Sequence, residues 1–166
     1  MCWLCDHPDA TPLDYLDHLR GLINQYGWAV QGVGRDRLHP PWAYTVGLTE
    51  HGKPELAVTG LSMRRAGALL DGVAAHVLHA APPEPGEQVR LLDGPLIEIV
   101  RITEPAAHLL RAVDLYGPQI RALQVVHADN RGHWPWDRGY RGVQGGQPVL
   151  GVRAPRAVLH PGSSEG

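Results

Sequence analysis

The chain has 166 residues, 43% of them hydrophobic and 19% charged, which suits one domain with its own core and excludes a disordered chain. Its 15 Lys and Arg against 17 Asp and Glu leave a formal net charge of -2, which gives no overall electrostatic ground for a nucleic-acid partner. No apolar run approaches the roughly 20 residues of a membrane span, and residues 1–9 lack the basic-then-apolar order of a secretion signal, so a cytoplasmic protein with no membrane partner is expected.

In chain order, Cys2-x-x-Cys5-x-His7 comes first. In the cytoplasm its cysteines serve as thiols or metal ligands rather than as a structural disulfide. Thr11-Pro12-Leu13-Asp14 then reads as a capped helix start, and Leu16, Leu19, Leu22, Ile23 and Tyr26 continue an apolar stripe that Gly27 stops. Trp28 to Gly34 is a predicted strand, followed by a polar loop that ends in His39-Pro40-Pro41. Trp42 to Gly60 reads as a hairpin with its tip at Thr49 to Pro54. Alternation predicts one face of Trp42, Tyr44, Val46, Leu48, Leu56 and Val58, and a second, small face of Ala43, Thr45, Gly47, Ala57 and Thr59. A face that small invites a close neighbour or a flat ligand.

Ala66, Leu69, Leu70, Val73, Ala74, Val77 and Leu78 fall on one helical stripe, giving the clearest helix in the chain. Strands are predicted at Val89 to Leu92 and Leu96 to Thr103, a third helix from Pro105 to Tyr116, and strands at Ile120 to His127 and Pro148 to Val152. Between the last two lies an aperiodic segment, Ala128 to Gln147, whose length and aromatic content argue for a functional loop. The pattern predicts an α+β fold: a mainly antiparallel, strongly bent sheet or half-open barrel of about five to six strands, with about three helices packed on it. One domain over residues 1–153 and a flexible tail over 154–166 are expected.

Four stretches carry candidate chemistry. Cys2, Cys5 and His7 have the spacing of half a zinc site; the same pattern is also read as a redox dithiol or as an inert terminus. Trp42, Tyr44, Thr45 and Gly47 would line a substrate pocket, or simply pack as a core strand. His51 at the hairpin tip, with Asp137 and Tyr140 of the long loop, would supply acid–base groups. Trp134 and Trp136 would wall the same pocket, or else plug the sheet. Ser62-Met63-Arg64-Arg65 opens the long helix and is read as an anion site or as an ordinary cap.

Cys2-Trp3-Leu4-Cys5, Trp42-Ala43-Tyr44-Thr45-Val46-Gly47-Leu48, Gly52 to Gly60, Trp134-Pro135-Trp136-Asp137 and Pro148-Val149-Leu150-Gly151 together resemble a family of short bacterial proteins grouped as a domain of unknown function. The resemblance implies a bacterial, soluble, single-domain protein and carries no catalytic assignment. The chain departs from the family pattern at Lys53-Pro54, where the family favours His-Pro, and at His127, where it favours an aromatic residue.

Two functions are expected from this reading. One is a small-molecule pocket between the 42–60 hairpin and the 128–147 loop, with metal-assisted hydrolysis or proton transfer as its chemistry. The other is a non-catalytic protein-interaction module, zinc-stabilised or metal-free, that binds a partner through an exposed aromatic loop.

Overall fold

The computed structural model describes residues 3–142 and 146–155. Cys2 and residues 156–166, most of the predicted tail, lie outside the described residues. Among the described residues, five helices and seven strands form an α+β architecture. The helices are α1 (Trp3–Asp6), α2 (Pro12–Tyr26), α3 (Met63–His79), α4 (Pro105–His108) and α5 (Leu110–Tyr116). The strands are β1 (Ala29–Val33), β2 (Trp42–Val46), β3 (Glu55–Thr59), β4 (Gln88–Arg90), β5 (Leu96–Ile102), β6 (Ala122–His127) and β7 (Gly151–Val152).

The helix ends follow local chemistry. Thr11 Oγ1 accepts from Asp14 N, and the Asp14 carboxylate accepts from Thr11 N, so α2 opens on a reciprocal capping box. Gly27, at φ 93°, closes the same helix with its N–H on Ile23 O. The expected third helix divides into α4 and α5 at Leu109, which is fully buried and leaves helical geometry at φ -104°, ψ 61°.

The sheet runs β1-β2-β3-β6-β5-β4, with β7 pairing the other end of the β5 edge that carries β4. It is open and mixed, which corrects the expected mainly antiparallel sheet. The difference comes from β6, which inserts between β3 and β5, parallel to the first and antiparallel to the second. α3 covers one face, where its buried stripe packs on Ala43, Leu56, Val58, Ile97, Ile99, Leu123 and Val125. α2 and α5 cover the other face over Tyr44, Val46, Ala57, Ala122 and Ile102. Farther along that second face, Trp134 packs on Val100, Val126 and Ala128.

The hairpin does not have a large face and a small one. Trp42 pairs with Thr59, Ala43 with Val58 and Tyr44 with Ala57. Cross-strand partners share a face, so each face combines large residues of one strand with small residues of the other. The expected assignment was one residue out of register on the return strand, and such a slip moves every side chain to the opposite face. Ala43, on the predicted ligand-binding face, lies under α3 in a solid core. Gly47 does admit a close neighbour, but that neighbour is the chain itself: a Cβ there would stand 3.0 Å from Gly27 O and from Trp28 Cα.

Candidate functional site

β3 and β6 are parallel neighbours, so their C-terminal ends open on the same edge of the sheet. From that edge the chain leaves in opposite directions. β3 turns at Gly60 into α3 on one face, whereas β6 runs into the loop whose Trp134 packs on the other face. Chains that diverge from the carboxyl ends of adjacent parallel strands leave a crevice between them. A cleft of two contiguous lobes, about 370 and 600 Å³, occupies that position. Arg65, Ala128, Asp129, Asn130 and Arg131 line both lobes. The first lobe adds Gly60, Leu61, His127, Tyr140 and Arg141, and the second adds Arg90, Asp93 and Leu96.

The wall of the first lobe is built by a substitution of strands. Continuing the β3–β6 register places Gly60 beside His127, but Gly60, at φ 74°, turns out of the sheet. The 146–147 segment takes the vacated position. Gln147 Oε1 accepts from His127 N at 2.9 Å, and Gln147 Nε2 donates to His127 O at 2.8 Å. The side-chain amide thereby replaces a backbone partner that β3 no longer supplies. Gln147 Nε2 also donates to Tyr140 Oη at 2.9 Å, which leaves the Tyr140 hydroxyl proton to be given elsewhere. A side chain at position 60 would collide with this strap, since its Cβ would lie 2.6 Å from Gly146 O.

The charges in the cleft are arranged unequally. Four arginines line it, Arg65, Arg90, Arg131 and Arg141, and all four are exposed. Of its two carboxylates, Asp129 is directed into the loop: its oxygens accept from the backbone N–H of Arg131, His133 and Arg141. Burial pushes the Asp129 carboxyl up, but those N–H donors outweigh it and bring the group down to about 2. The N-terminal end of α3, a helix of 17 residues, adds the positive end of its dipole next to Arg65. His127 is buried, with Nε2 at 3.2 Å from Thr59 O, a contact that needs the proton on Nε2. Burial holds the imidazole below its ordinary value, and the Arg65 charge works in the same direction, so the ring is neutral at pH 7.

The sequence-predicted site residues are scattered over the fold. Tyr140 lines the cleft. Asp137 does not: its Oδ2 accepts from Trp134 N at 2.8 Å and shapes the turn that seats the tryptophans. His51 lies at the opposite end of the hairpin, with Nε2 3.2 Å from Gly27 O. The three predicted acid–base residues are therefore not brought together. Tyr44 is buried and its hydroxyl accepts from Arg111 N at 3.0 Å, capping α5; burial pushes its pKa up to about 12. Thr45 is also buried and fully used, donating to Glu55 Oε2 and accepting from Leu56 N. Trp42 lines a separate hollow of about 330 Å³ with His39, His108 and Leu150. Trp134 and Trp136 stack on each other at 5.4 Å, and the Arg153 guanidinium lies 3.6 Å over the Trp136 ring.

At the amino terminus, Cys5 is exposed, and His7 stacks on Trp3 with Nδ1 bonded to Trp3 O, so Nε2 is the nitrogen a metal would take. Cys2 lies outside the described residues. Among the described residues, no group of three or more His, Cys, Asp or Glu side chains is gathered as a metal site. No described helix is long and apolar enough to cross a membrane.

His127, Gln147, Arg90, Arg131 and Arg141 were not expected as members of one site. Each sits beside a motif the sequence does mark, but only the parallel pairing of β3 with β6 brings them to one edge. No curated protein and no solved structure matches the chain. A family model described as Domain of unknown function (DUF4262) matches residues 22–141, a span that holds the hairpin, α3 and the Trp134–Tyr140 loop but leaves out Cys2, Cys5 and His7. The chain belongs to this domain-of-unknown-function family, DUF4262.

Proposed function

We propose that the chain binds a small anionic molecule in the cleft at the carboxyl ends of β3 and β6. The observation that carries this reading is the concentration of Arg65, Arg90, Arg131 and Arg141 around one concavity in a chain whose formal net charge is -2. Guanidinium groups recognise carboxylate and phosphate oxygens in a fixed, paired geometry. Water-lined surface arginines alone would not select a small ligand, but a concave site at the end of a parallel strand pair does. Tyr140 and Asn130 are uncharged donors of the site, and any proton given to a bound ligand falls to Tyr140 rather than to His51 or Asp137.

The interaction-module reading is the alternative; among the described residues of the 128–147 loop, Trp134 is buried and Trp136 lies under the Arg153 guanidinium, which favours the cleft over the aromatic loop as the binding surface. Zinc at Cys2, Cys5 and His7 is a separate proposal that the cleft does not draw on. Cytoplasmic location likewise rests on composition.

Thermal unfolding in phosphate, pyrophosphate and malonate, each matched to sodium chloride of equal ionic strength, tests the reading. Ligands that bind the folded state alone raise the midpoint, and the stabilisation grows with the logarithm of ligand concentration above Kd. A rise in the wild type that shrinks in Arg131→Ala is expected. Midpoints that follow ionic strength only, in both proteins, would remove it.

A further inference from the structure

Resting on the anion-binding reading above, we infer that Asp129 is a positioning residue of the cleft: a carboxylate that strengthens anion binding by holding Arg131 and Arg141 at the first lobe, although its own charge opposes the ligand. Asp129 lines both lobes, yet its side chain is only 5% exposed. Its two oxygens are divided between the two ends of one stretch of chain. Oδ1 accepts from Arg131 N at 2.8 Å and from His133 N at 2.9 Å, and Oδ2 accepts from Arg141 N at 2.9 Å. The backbones of Arg131 and Arg141 are thereby fastened to one carboxylate, and both residues line the first lobe together with Arg65.

The two ends are not held equally. Asp129 N donates to His133 O at 2.8 Å, so the Arg131 side of the loop has a backbone bond of its own, while the Arg141 N–H has Oδ2 as its acceptor. Two effects of opposite sign meet at this residue. A negative charge beside an anion lowers its affinity. Arginines already held in place lose less freedom when the anion binds, which raises it. The carboxylate is compensated before any ligand arrives, because three N–H groups point at it, so the second effect is the larger.

Titration calorimetry with pyrophosphate on the full chain reads the sign. The side chain of Asp129→Asn can put its one oxygen where Oδ1 stands, keeping Arg131 and His133, but its NH2 then faces the Arg141 N–H, donor against donor. Charge alone predicts tighter binding in this variant, whereas positioning predicts binding about tenfold weaker. The same substitution is expected to cost about tenfold in an Arg90→Ala background and less than about twofold in Arg141→Ala, because only residues that act through one another are coupled. A purely structural Asp129 would cost the same in both backgrounds. Hydrogen exchange on the unsubstituted chain gives a second readout: with pyrophosphate at about nine times its Kd, the Arg131, His133 and Arg141 amides should exchange about tenfold more slowly. Equal or tighter binding in Asp129→Asn, equal costs in the two backgrounds, or amides that bound pyrophosphate leaves unprotected would overturn the inference while anion binding stands. If pyrophosphate does not bind the wild type, both fall.

Discussion

Thr45 Oγ1 donates to Glu55 Oε2 across the β2–β3 hairpin at 2.6 Å, and both residues are completely buried. The same carboxylate accepts from Gly47 N, Leu48 N, Thr49 N and Thr49 Oγ1, so five donors converge on it. This is why a short 3-10 turn, Leu48–His51, closes the hairpin and why the return strand takes the register it does. Burial pushes the Glu55 carboxyl above its ordinary value, and the hydrogen bonds from Thr45, Thr49 and Gly47 oppose that shift. Glu55→Gln keeps the size but turns an amide NH2 towards donors. It is expected to cost about 3 kcal/mol in chemical denaturation. A loss below roughly 1 kcal/mol would mean the turn holds its shape without this carboxylate.

Gln147 replaces a strand at the end of β6. Gln147→Ala leaves His127 N and O without their partner and releases the Tyr140 hydroxyl. The expected loss of stability is about 2–3 kcal/mol, read by urea unfolding. Anion affinity should fall with it, since Tyr140 loses its anchor. Gln147→Glu should be no better, because a carboxylate cannot donate to His127 O. An unchanged unfolding midpoint for both variants would show that the 146–147 strap is not what seats the loop.

Asp129 ties the cleft loop together through three N–H bonds and stays ionised down to about 2, against an ordinary value of 3.8. A depressed carboxyl contributes stability that is complete above its unfolded pKa and is lost as the pH falls through the folded one. The loop, and the burial of Trp134 with it, should therefore hold to pH 4 and loosen only as the pH drops from about 3.8 towards about 2. Tryptophan emission followed from pH 6 to pH 2 reads this directly. Asp129→Asn should shift the emission at neutral pH to that of the acid form, and a wild-type transition centred above pH 5 would contradict the assignment.

The amino terminus and the cleft are on independent structures. α1 packs on α2 through Trp3 and His18, α2 lies on the sheet face opposite α3, and no α1 or α2 residue lines either lobe. Cys5→Ser and His7→Ala are expected to leave anion affinity within twofold of the wild type, whatever metal content is measured for each variant. A tenfold change would couple the two ends of the chain in a way this geometry does not contain.

Local chemistry made the helices legible. The Thr11 cap, the Gly27 stop and the stripe from Ala66 to Val77 depend on neighbours within a few residues, and all appear as read. Strand existence was equally readable from alternation. What alternation does not carry is which strand a given edge meets. The period of Trp42–Val46 says which of its residues share a face, but the register with Glu55–Thr59 is decided by Glu55 and the turn it holds. The same limit explains the mixed sheet, because the adjacency of β3 and β6 joins residues 67 positions apart, as in Glu55 beside Ala122. For the site, Tyr140 and the long loop were visible because aromatic residues in an aperiodic segment need burial. Arg90, Arg131 and Arg141 were not, since an arginine looks the same on a solvated face as on the wall of a cleft.

The central claim is that Arg65 and Arg131, at the junction of the two lobes, hold an anion. Titration calorimetry of pyrophosphate into the wild type and into Arg65→Ala/Arg131→Ala tests it most directly. Each lost guanidinium should cost about 1.4 kcal/mol, tenfold in Kd, so the double variant should bind about 100-fold more weakly while unfolding at an unchanged midpoint without ligand. Equal affinity in the two proteins would contradict the account.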